Sequence, residues 1–257
     1  MIDLHSHILP NIDDGSLTLE ESIAILKKAS RNGVTDIVAT PHFIHGSDYS
    51  ANNKIKKNKF NLLKKRLQNE NLNINIYLGN EVFVSEIMFD LLKNKNITTI
   101  NDTRYLLFEL PMNNSYNGIH ELIFQLRNFG YRPIIAHPER YLIFKENPSL
   151  ISKYIEEGVL FQSNIGSFFG RYGKEAQKLA VLLLRHHAIH FISSDTHHKK
   201  DEFYEELNGL KQELKKYIDN KEIDDLLINN PKNVIEDNDL EVWDFIPFKK
   251  NIFGKWK

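Results

Sequence analysis

The sequence predicts one α/β domain of parallel strands, closed or nearly closed into a barrel. Three observations predict it. Seven short apolar runs alternate with helical segments along 257 residues, the pattern of parallel βαβ units. A single α/β barrel is typically about 250 residues, so one domain accommodates the length. No linker, residue-level repeat or low-complexity block divides the chain. A doubly wound open sheet is the alternative.

Residues 1–5 read as the first strand. A helix follows at 18–32, opened by the capping box Thr18-Leu19-Glu20-Glu21 and stopped at Gly33. The second strand, 35–40, closes at Pro41. A long lysine-rich helix is expected over 52–71. The third strand lies at 75–78, with a helix near 84–94. The fourth is at 105–110, followed by a helix over 119–129 that Gly130 stops. The fifth, 133–136, precedes a helix near 148–157, and the sixth, 159–163, precedes one at 173–187. The seventh is 190–194, with helices near 202–218 and 221–229 after it. We expect a domain over 1–235 and an extension over 236–257. That extension runs from Asp237-Asn238-Asp239 to Phe253-Gly254-Lys255-Trp256-Lys257 and packs on the barrel or on a partner chain.

Composition narrows the function. The formal net charge is -1, which gives no general drive toward nucleic acid or a membrane surface. A hydrophobic content of 41% fits a globular domain, and no apolar run approaches membrane-spanning length. His5, a candidate ligand, stands so near the start that no signal peptide is expected, and the protein is expected in the cytoplasm. Cysteine is absent, which excludes disulfides, thiolate metal sites and a cysteine nucleophile. Any metal must be held by His, Asp and Glu, which suits Mn, Fe, Zn or Mg.

The residues after the strands carry the chemistry. His5 and His7 are two apart, so on a strand they point to one side. The second strand ends in His42, the third in Glu81, the fourth in Glu109, the fifth in His137 and the seventh in Asp195 and His197. The sixth ends in Asn164. Functional groups of parallel α/β barrels gather at the C-terminal ends of the strands. A single strand-end His or carboxylate is ordinarily a surface, core or capping residue. Ligand types at six of seven ends, with Asp14 close behind, point to a metal centre of two or three ions.

These residues stand in motifs: Ile2-Asp3-Leu4-His5-Ser6-His7, Asp13-Asp14-Gly15, Thr40-Pro41-His42, Gly79-Asn80-Glu81 and Phe108-Glu109. Ala136-His137-Pro138-Glu139-Arg140, Ser194-Asp195-Thr196-His197 and Asn230-Pro231-Lys232-Asn233-Val234 follow in order. Together, over roughly residues 1–235, they resemble the bacterial PHP-superfamily tyrosine phosphatases that regulate capsule and exopolysaccharide synthesis. The resemblance implies a distorted (β/α)7 TIM-like barrel with a trinuclear, usually manganese, centre. It implies the ligands His5, His7, Asp14, His42, Glu81, Glu109, His137, Asp195 and His197, with Arg140 at the substrate phosphate. It implies hydrolysis of phosphotyrosine by metal-generated hydroxide, on the tyrosine-rich tail of a membrane-associated polysaccharide tyrosine kinase. The family often has a second arginine after the Asp-x-His motif. Here the run is His197-His198-Lys199-Lys200-Asp201, and lysine cannot grip phosphate bidentately.

Lys199, Lys200 and Arg171 are the candidate replacements for that arginine. His45 and Tyr49 are candidates to flank the substrate, and His198 to stand behind a ligand. His186, His187 and His190 fall away from the strand ends and read as structural. The basic run from Lys54 to Arg66 reads as a solvated helix face, or as a dock for an acidic partner. The alternatives are another phosphoesterase on this scaffold, of the histidinol-phosphate or nuclease type, and a non-catalytic phosphotyrosine-binding regulator. The near-neutral charge disfavours a nuclease.

Overall fold

The computed structural model describes residues 1–250 and 256. Its strands are β1 (Ile2–Ser6), β2 (Asp36–Ala39), β3 (His42–Phe43), β4 (Asn75–Leu78), β5 (Glu81–Phe83), β6 (Tyr105–Glu109), β7 (Arg132–Ala136), β8 (Leu160–Asn164) and β9 (Phe191–Ser193). Every ladder is parallel. They form two sheets, of order β1-β2-β4 and β3-β5-β6-β7-β8-β9. The fold is therefore α/β with parallel sheets, and its hydrogen bonding does not run continuously around a closed barrel.

The discontinuity has a local cause. The second predicted strand ends as β2 before Thr40-Pro41, where Pro41 has no N–H for a ladder, and an unpredicted short strand, β3, follows it. The third continues past its predicted end as β5, after a break at Gly79-Asn80. At this double break the Asn80 Nδ2 donates to the Pro41 carbonyl at 2.9 Å, and a side chain takes over where the ladder stops. Between β1 and the segment after β9, His7 N donates to Thr196 O at 2.8 Å and Asp195 N to His5 O at 2.9 Å.

The helices are α1 (Leu19–Arg31), α2 (Asn53–Gln68), α3 (Met88–Lys93), α4 (Ile119–Asn128), α5 (Leu142–Glu146), α6 (Leu150–Glu156), α7 (Ile165–Phe168), α8 (Lys174–Arg185), α9 (Leu207–Leu214), α10 (Asn220–Asp224) and α11 (Asn230–Ile235). In α1 the Thr18 hydroxyl accepts from Glu21 N at 3.1 Å, but the Glu21 carboxylate accepts from Leu17 N rather than from the cap's own amide. Helix α3 begins four residues later than the pattern suggests, because Val84 still donates to Glu109 O beside β5. Helix α9 is half its expected length. The short α5, α7 and α11 were not expected; α11 carries Pro231 in its first turn, where a missing N–H costs nothing.

Side chains of β6 alternate between two apolar clusters. Leu106 and Phe108 join the large cluster under the helices, while Tyr105 and Leu107 face Leu4, Ile134 and Phe191. Glu109 continues the second line by the strand's period of two. Each such side chain removed from water contributes about 1.5–3 kcal/mol.

The described part of the predicted extension lies against the molecule. His186 Nδ1 donates to Ile246 O at 2.7 Å and His187 Nδ1 to Asp244 O at 2.9 Å. Its predicted end, Phe253-Gly254-Lys255 and Lys257 with residues 251 and 252, lies outside the described residues. Among the described residues no helix is long and apolar enough to cross a membrane.

Candidate metal centre

The nine predicted ligands converge. His5 and His7 come from β1 and its end, His42 from β3, Glu81 from β5, Glu109 from β6, and His137, Asp195 and His197 from just past β7 and β9. His5 Nε2 lies 3.2 Å from His7 Nε2, 3.2 Å from Glu81 Oε2 and 3.3 Å from Asp195 Oδ1. His42 Nδ1 lies 3.1 Å from the same Glu81 oxygen and 3.3 Å from Glu109 Oε1. His137 Nε2 stands 2.9 Å from Glu81 Oε1. On the open side, Asp14 Oδ1 is 3.5 Å from His42 Nε2 and 3.6 Å from His197 Nε2. The donors fall into three overlapping groups: His5, His7, Glu81 and Asp195; His42, Glu81 and Glu109; His7, Asp14, His42 and His197.

Polar atoms this close ordinarily hydrogen-bond. Here Glu81 Oε2, His42 Nδ1 and His137 Nδ1 are buried and have no hydrogen-bond partner. A buried polar atom left so costs about 1–3 kcal/mol, more when charged. Lone pairs aimed at one another fit a cation between them, and the all-N/O donor set fits a divalent metal. The charge balance agrees. Burial works to neutralise His5, yet Glu81 and Asp195 push its pKa up to about 9. Burial likewise opposes ionisation of Glu81, but His5 and His42 hold its carboxyl well below the usual range.

Backbone geometry delivers the ligands at a cost. His137 and Asp195 take positive φ, 35° and 54°, which is unusual outside glycine. Such strain costs roughly 1–3 kcal/mol and persists where the surroundings enforce it. Gly15 lets the Asp13-Asp14 loop fold over His7, since a Cβ there would sit 2.2 Å from His7 O.

The residues behind the ligands were not read from the sequence. Asp13 Oδ2 accepts from His7 Nδ1 at 2.7 Å and from His42 N at 2.9 Å. Gln162 Oε1 accepts from His5 Nδ1 at 2.8 Å, and Asn164 Nδ2 donates to Asp195 Oδ2 at 2.7 Å. Such partners fix the tautomer and aim of a ligating ring. The sequence shows Gln162-Ser163-Asn164 only as a polar run at a strand's end; its complete burial is seen in the structure.

Arg140 stands at the rim, its Nη1 donating to Asp195 Oδ2 at 3.1 Å. Arg171 is on the same side, but its guanidinium is engaged by Glu206, at 3.1 Å from Nε, and by Glu202, at 2.9 Å from Nη2. Lys199 and Lys200 are exposed, with Lys199 N donating to Glu21 Oε1 at 3.2 Å. His45 is exposed in the loop after β3, and Tyr49 from that loop stacks 6.2 Å from the His42 ring. His198 N donates to Asp201 Oδ2, which also accepts from His197 N. His190 is buried at the other end of β9, its Nδ1 accepting from Phe161 N, and burial lowers its pKa to about 4.

Comparison with known proteins places this geometry. Residues 1–236 match the family model for capsular polysaccharide synthesis proteins CpsB/CapC. CapC of Staphylococcus aureus is 40% identical over 197 residues, 77% of each chain. The tyrosine-protein phosphatase YwqE of Bacillus subtilis is 36% identical over 201 residues, 78% of each. A crystal structure from work on YwqE of Bacillus subtilis and CpsB of Streptococcus pneumoniae, described as unique metal-dependent tyrosine phosphatases, superposes with a TM-score of 0.89. It is 30% identical and covers 97% of this chain and 100% of its own.

Proposed function

The chain belongs to the CpsB/CapC family, and from that membership and its donor cluster we infer that it is a metal-dependent protein-tyrosine phosphatase. The observation that carries the reading is a single oxygen. Glu81 Oε2 is buried among the nitrogens of His5, His7 and His42 and hydrogen-bonds to none of them. We propose a distorted (β/α)7 barrel of the PHP type, with three ion positions at one mouth. His5, His7, Glu81 and Asp195 hold one. His42, Glu81 and Glu109, with His137 beside them, hold a second. His7, Asp14, His42 and His197 hold the third. Manganese is the proposed metal, which this N/O set suits as it does Fe, Zn or Mg. Bound ions of this kind supply hydroxide at neutral pH and positive charge opposite phosphoryl oxygens.

The chain's own groups do the rest. Asp13 and Gln162 keep the His7 and His5 rings aimed inward. Arg140 offers N–H groups beyond the one given to Asp195, and a planar, permanently charged donor suits a phosphoryl group whose oxygens gain charge. Tyrosine leaves as a phenolate of pKa ~10, so no strong general acid is needed. The proposed substrate is the phosphotyrosine tail of a membrane-associated tyrosine kinase, approached from the cytoplasm.

The test is phosphate release from a phosphotyrosine peptide, with Mn²⁺ and with chelator, beside a phosphoserine peptide and histidinol phosphate. Mn²⁺-dependent release selective for phosphotyrosine is expected. Release from histidinol phosphate alone would transfer the chain to small-phosphate chemistry. Arg140→Ala should keep its metals and lose about 10²–10³-fold in kcat/KM, the scale of one lost donor to a developing charge. Normal turnover with full metal in that variant would remove Arg140 from the mechanism.

A further inference from the structure

Among the described residues the Arg140 guanidinium is held at two places. One is Asp195 Oδ2, 3.1 Å from Nη1; the other is the ring of Tyr172, whose centroid lies 4.7 Å from the guanidinium carbon. The first hold is divided. Asp195 Oδ2 also accepts from Asn164, and its Oδ1 faces His5 Nε2 at 3.3 Å and His7 Nε2 at 3.4 Å in the donor cluster. A carboxylate committed to that cluster fixes one end of the guanidinium and leaves its plane free to turn about the Nη1 contact. An aromatic face at this distance can fix the plane.

The turn that carries Tyr172 is built to hold the ring there. Gly170 and Gly173 bracket it with φ of 74° and 90°. Arg171 N donates to Gly166 O at 3.0 Å, closing the turn onto α7. Gly166 leaves a bare strip of backbone: a Cβ there would come within 3.2 Å of the Tyr172 ring and 2.7 Å of the Phe203 ring. Arg171 pins the turn from outside through Glu202 and Glu206 and lies over Phe203. The Tyr172 hydroxyl meets Asn164 Nδ2 at 3.5 Å, while the ring lies against the Arg140 guanidinium.

We propose that Tyr172 is a positioning residue for phosphate recognition: its ring is the platform that holds the Arg140 guanidinium flat and turned toward the phosphoryl group. Arg171 serves the same end indirectly, by anchoring the turn rather than by touching phosphate. The proposal rests on the reading of Arg140 as the phosphate contact. A guanidinium stacked on a ring at a partly desolvated site gains enough for about a tenfold to thirtyfold effect on its positioning.

The experiment compares Tyr172→Phe, Tyr172→Leu, Arg140→Ala and the double variant Tyr172→Leu/Arg140→Ala, all metal-loaded with equal metal content verified. Inhibition by inorganic phosphate and KM and kcat on a phosphotyrosine peptide are measured for each. Leucine fills the space without a π face, and phenylalanine keeps the face without the hydroxyl. We expect Tyr172→Phe to match the parent. Tyr172→Leu should weaken phosphate inhibition and raise KM about tenfold with a smaller change in kcat. The double variant should be no weaker than Arg140→Ala alone. Equal loss in the Phe and Leu variants would overturn the platform role, as would additive loss in the double variant. Impairment in Arg140→Ala with none in Tyr172→Leu would overturn it while leaving Arg140 in place. Unimpaired Arg140→Ala would instead remove the reading of Arg140, and the proposal with it.

Discussion

Asp13 and Asp14 are neighbours with different work. The Asp14 carboxylate reaches out to His42 and His197 on the open side, while Asp13 is buried and spends both oxygens on His7 Nδ1, His42 N and Gly15 N. Burial raises the cost of its charge, but His7 holds its pKa down to about 2, so it stays an acceptor at any working pH. Replacing Asp13 by Asn keeps the size and removes the charge that orients the His7 ring. Metal affinity should fall about 10–100-fold, the usual cost of losing a partner behind a ligand. A Mn²⁺ titration followed by isothermal calorimetry checks this, and unchanged affinity would show that His7 needs no such support. The contrast marks what a sequence discloses. Eight of the nine candidate ligands were legible because they fall at or just past the ends of predicted strands, whatever the loops do; Asp14 alone sits in a loop. Asp13 and Gln162 were not, because their roles depend on which ring nitrogen a folded loop or a neighbouring strand reaches. The Arg171 side chain was legible in place but not in its partners, since Glu202 and Glu206 arrive from a segment 31 and 35 residues away.

Helix α2 shows how an element can bury an unlikely residue to steady its neighbours. Its buried positions are Lys56, Leu63 and Leu67, and Lys56 is 1% exposed. The ammonium is hydrogen-bonded to the side chains of Asn80 and Thr98, and Asn80 in turn holds the Pro41 carbonyl at the break between β2 and β3. Reading the lysine run as a solvated face fits Lys54, Lys57, Lys64 and Lys65, which are exposed, but not Lys56. No periodicity marks the exception, because a lysine on the buried stripe looks like any other in a run. Burial lowers its pKa to about 7, against a smaller upward pull from Asp102. The sign follows. Between about pH 7 and the unfolded value near 10.5 the unfolded chain holds a proton that the folded chain has lost, so this group makes stability rise with pH. The slope is at most about 1.4 kcal/mol per pH unit. Lys56→Met removes that slope. Urea unfolding of both proteins in chelator at pH 7, 8 and 9 should give a difference that favours the variant most at pH 7 and shrinks as pH rises. A difference constant across that range would mean that Lys56 is buried fully charged.

At the scale of the whole molecule, the site and the tail sit at opposite ends of the strands. The candidate ligands lie at the C-terminal ends, where the sheets are interrupted at Pro41 and Asn80 and linked by short contacts there and between β1 and the segment after β9. Metal bound to the candidate ligands would tie together the ends of β1, β3, β5, β6, β7 and β9, so it should stabilise the fold as a unit. At 100 times its dissociation constant one ion adds about 2.7 kcal/mol. At about 2–4 °C per kcal/mol for a chain of this size, chelation should lower Tm by roughly 5–10 °C per ion lost. The tail engages the other end. Arg104 N donates to Asp237 Oδ1, Tyr105 OH to Asn238 O, His186 and His187 hold residues 246 and 244, and Lys221 lies 4.3 Å from the Trp243 ring. We propose that residues 236–257 are an extension of the 1–235 domain rather than part of its catalytic end. Ending the chain after residue 239 keeps the contacts at Asp237 and Asn238 and removes those at His186, His187 and Lys221. The truncated protein should lose a few degrees of Tm, since Phe245 and Phe248 leave the core they partly cover while Val242 and Ile246 are exposed and bury little area. Its metal content and kcat on a phosphotyrosine peptide should stay unchanged, because among the described residues no removed contact lies within reach of a candidate ligand. Lost metal or lost turnover at full metal occupancy would mean that the far ends of β8 and β9 transmit their packing along the strands to Asn164 and Asp195, and the tail would then belong to the site it does not touch.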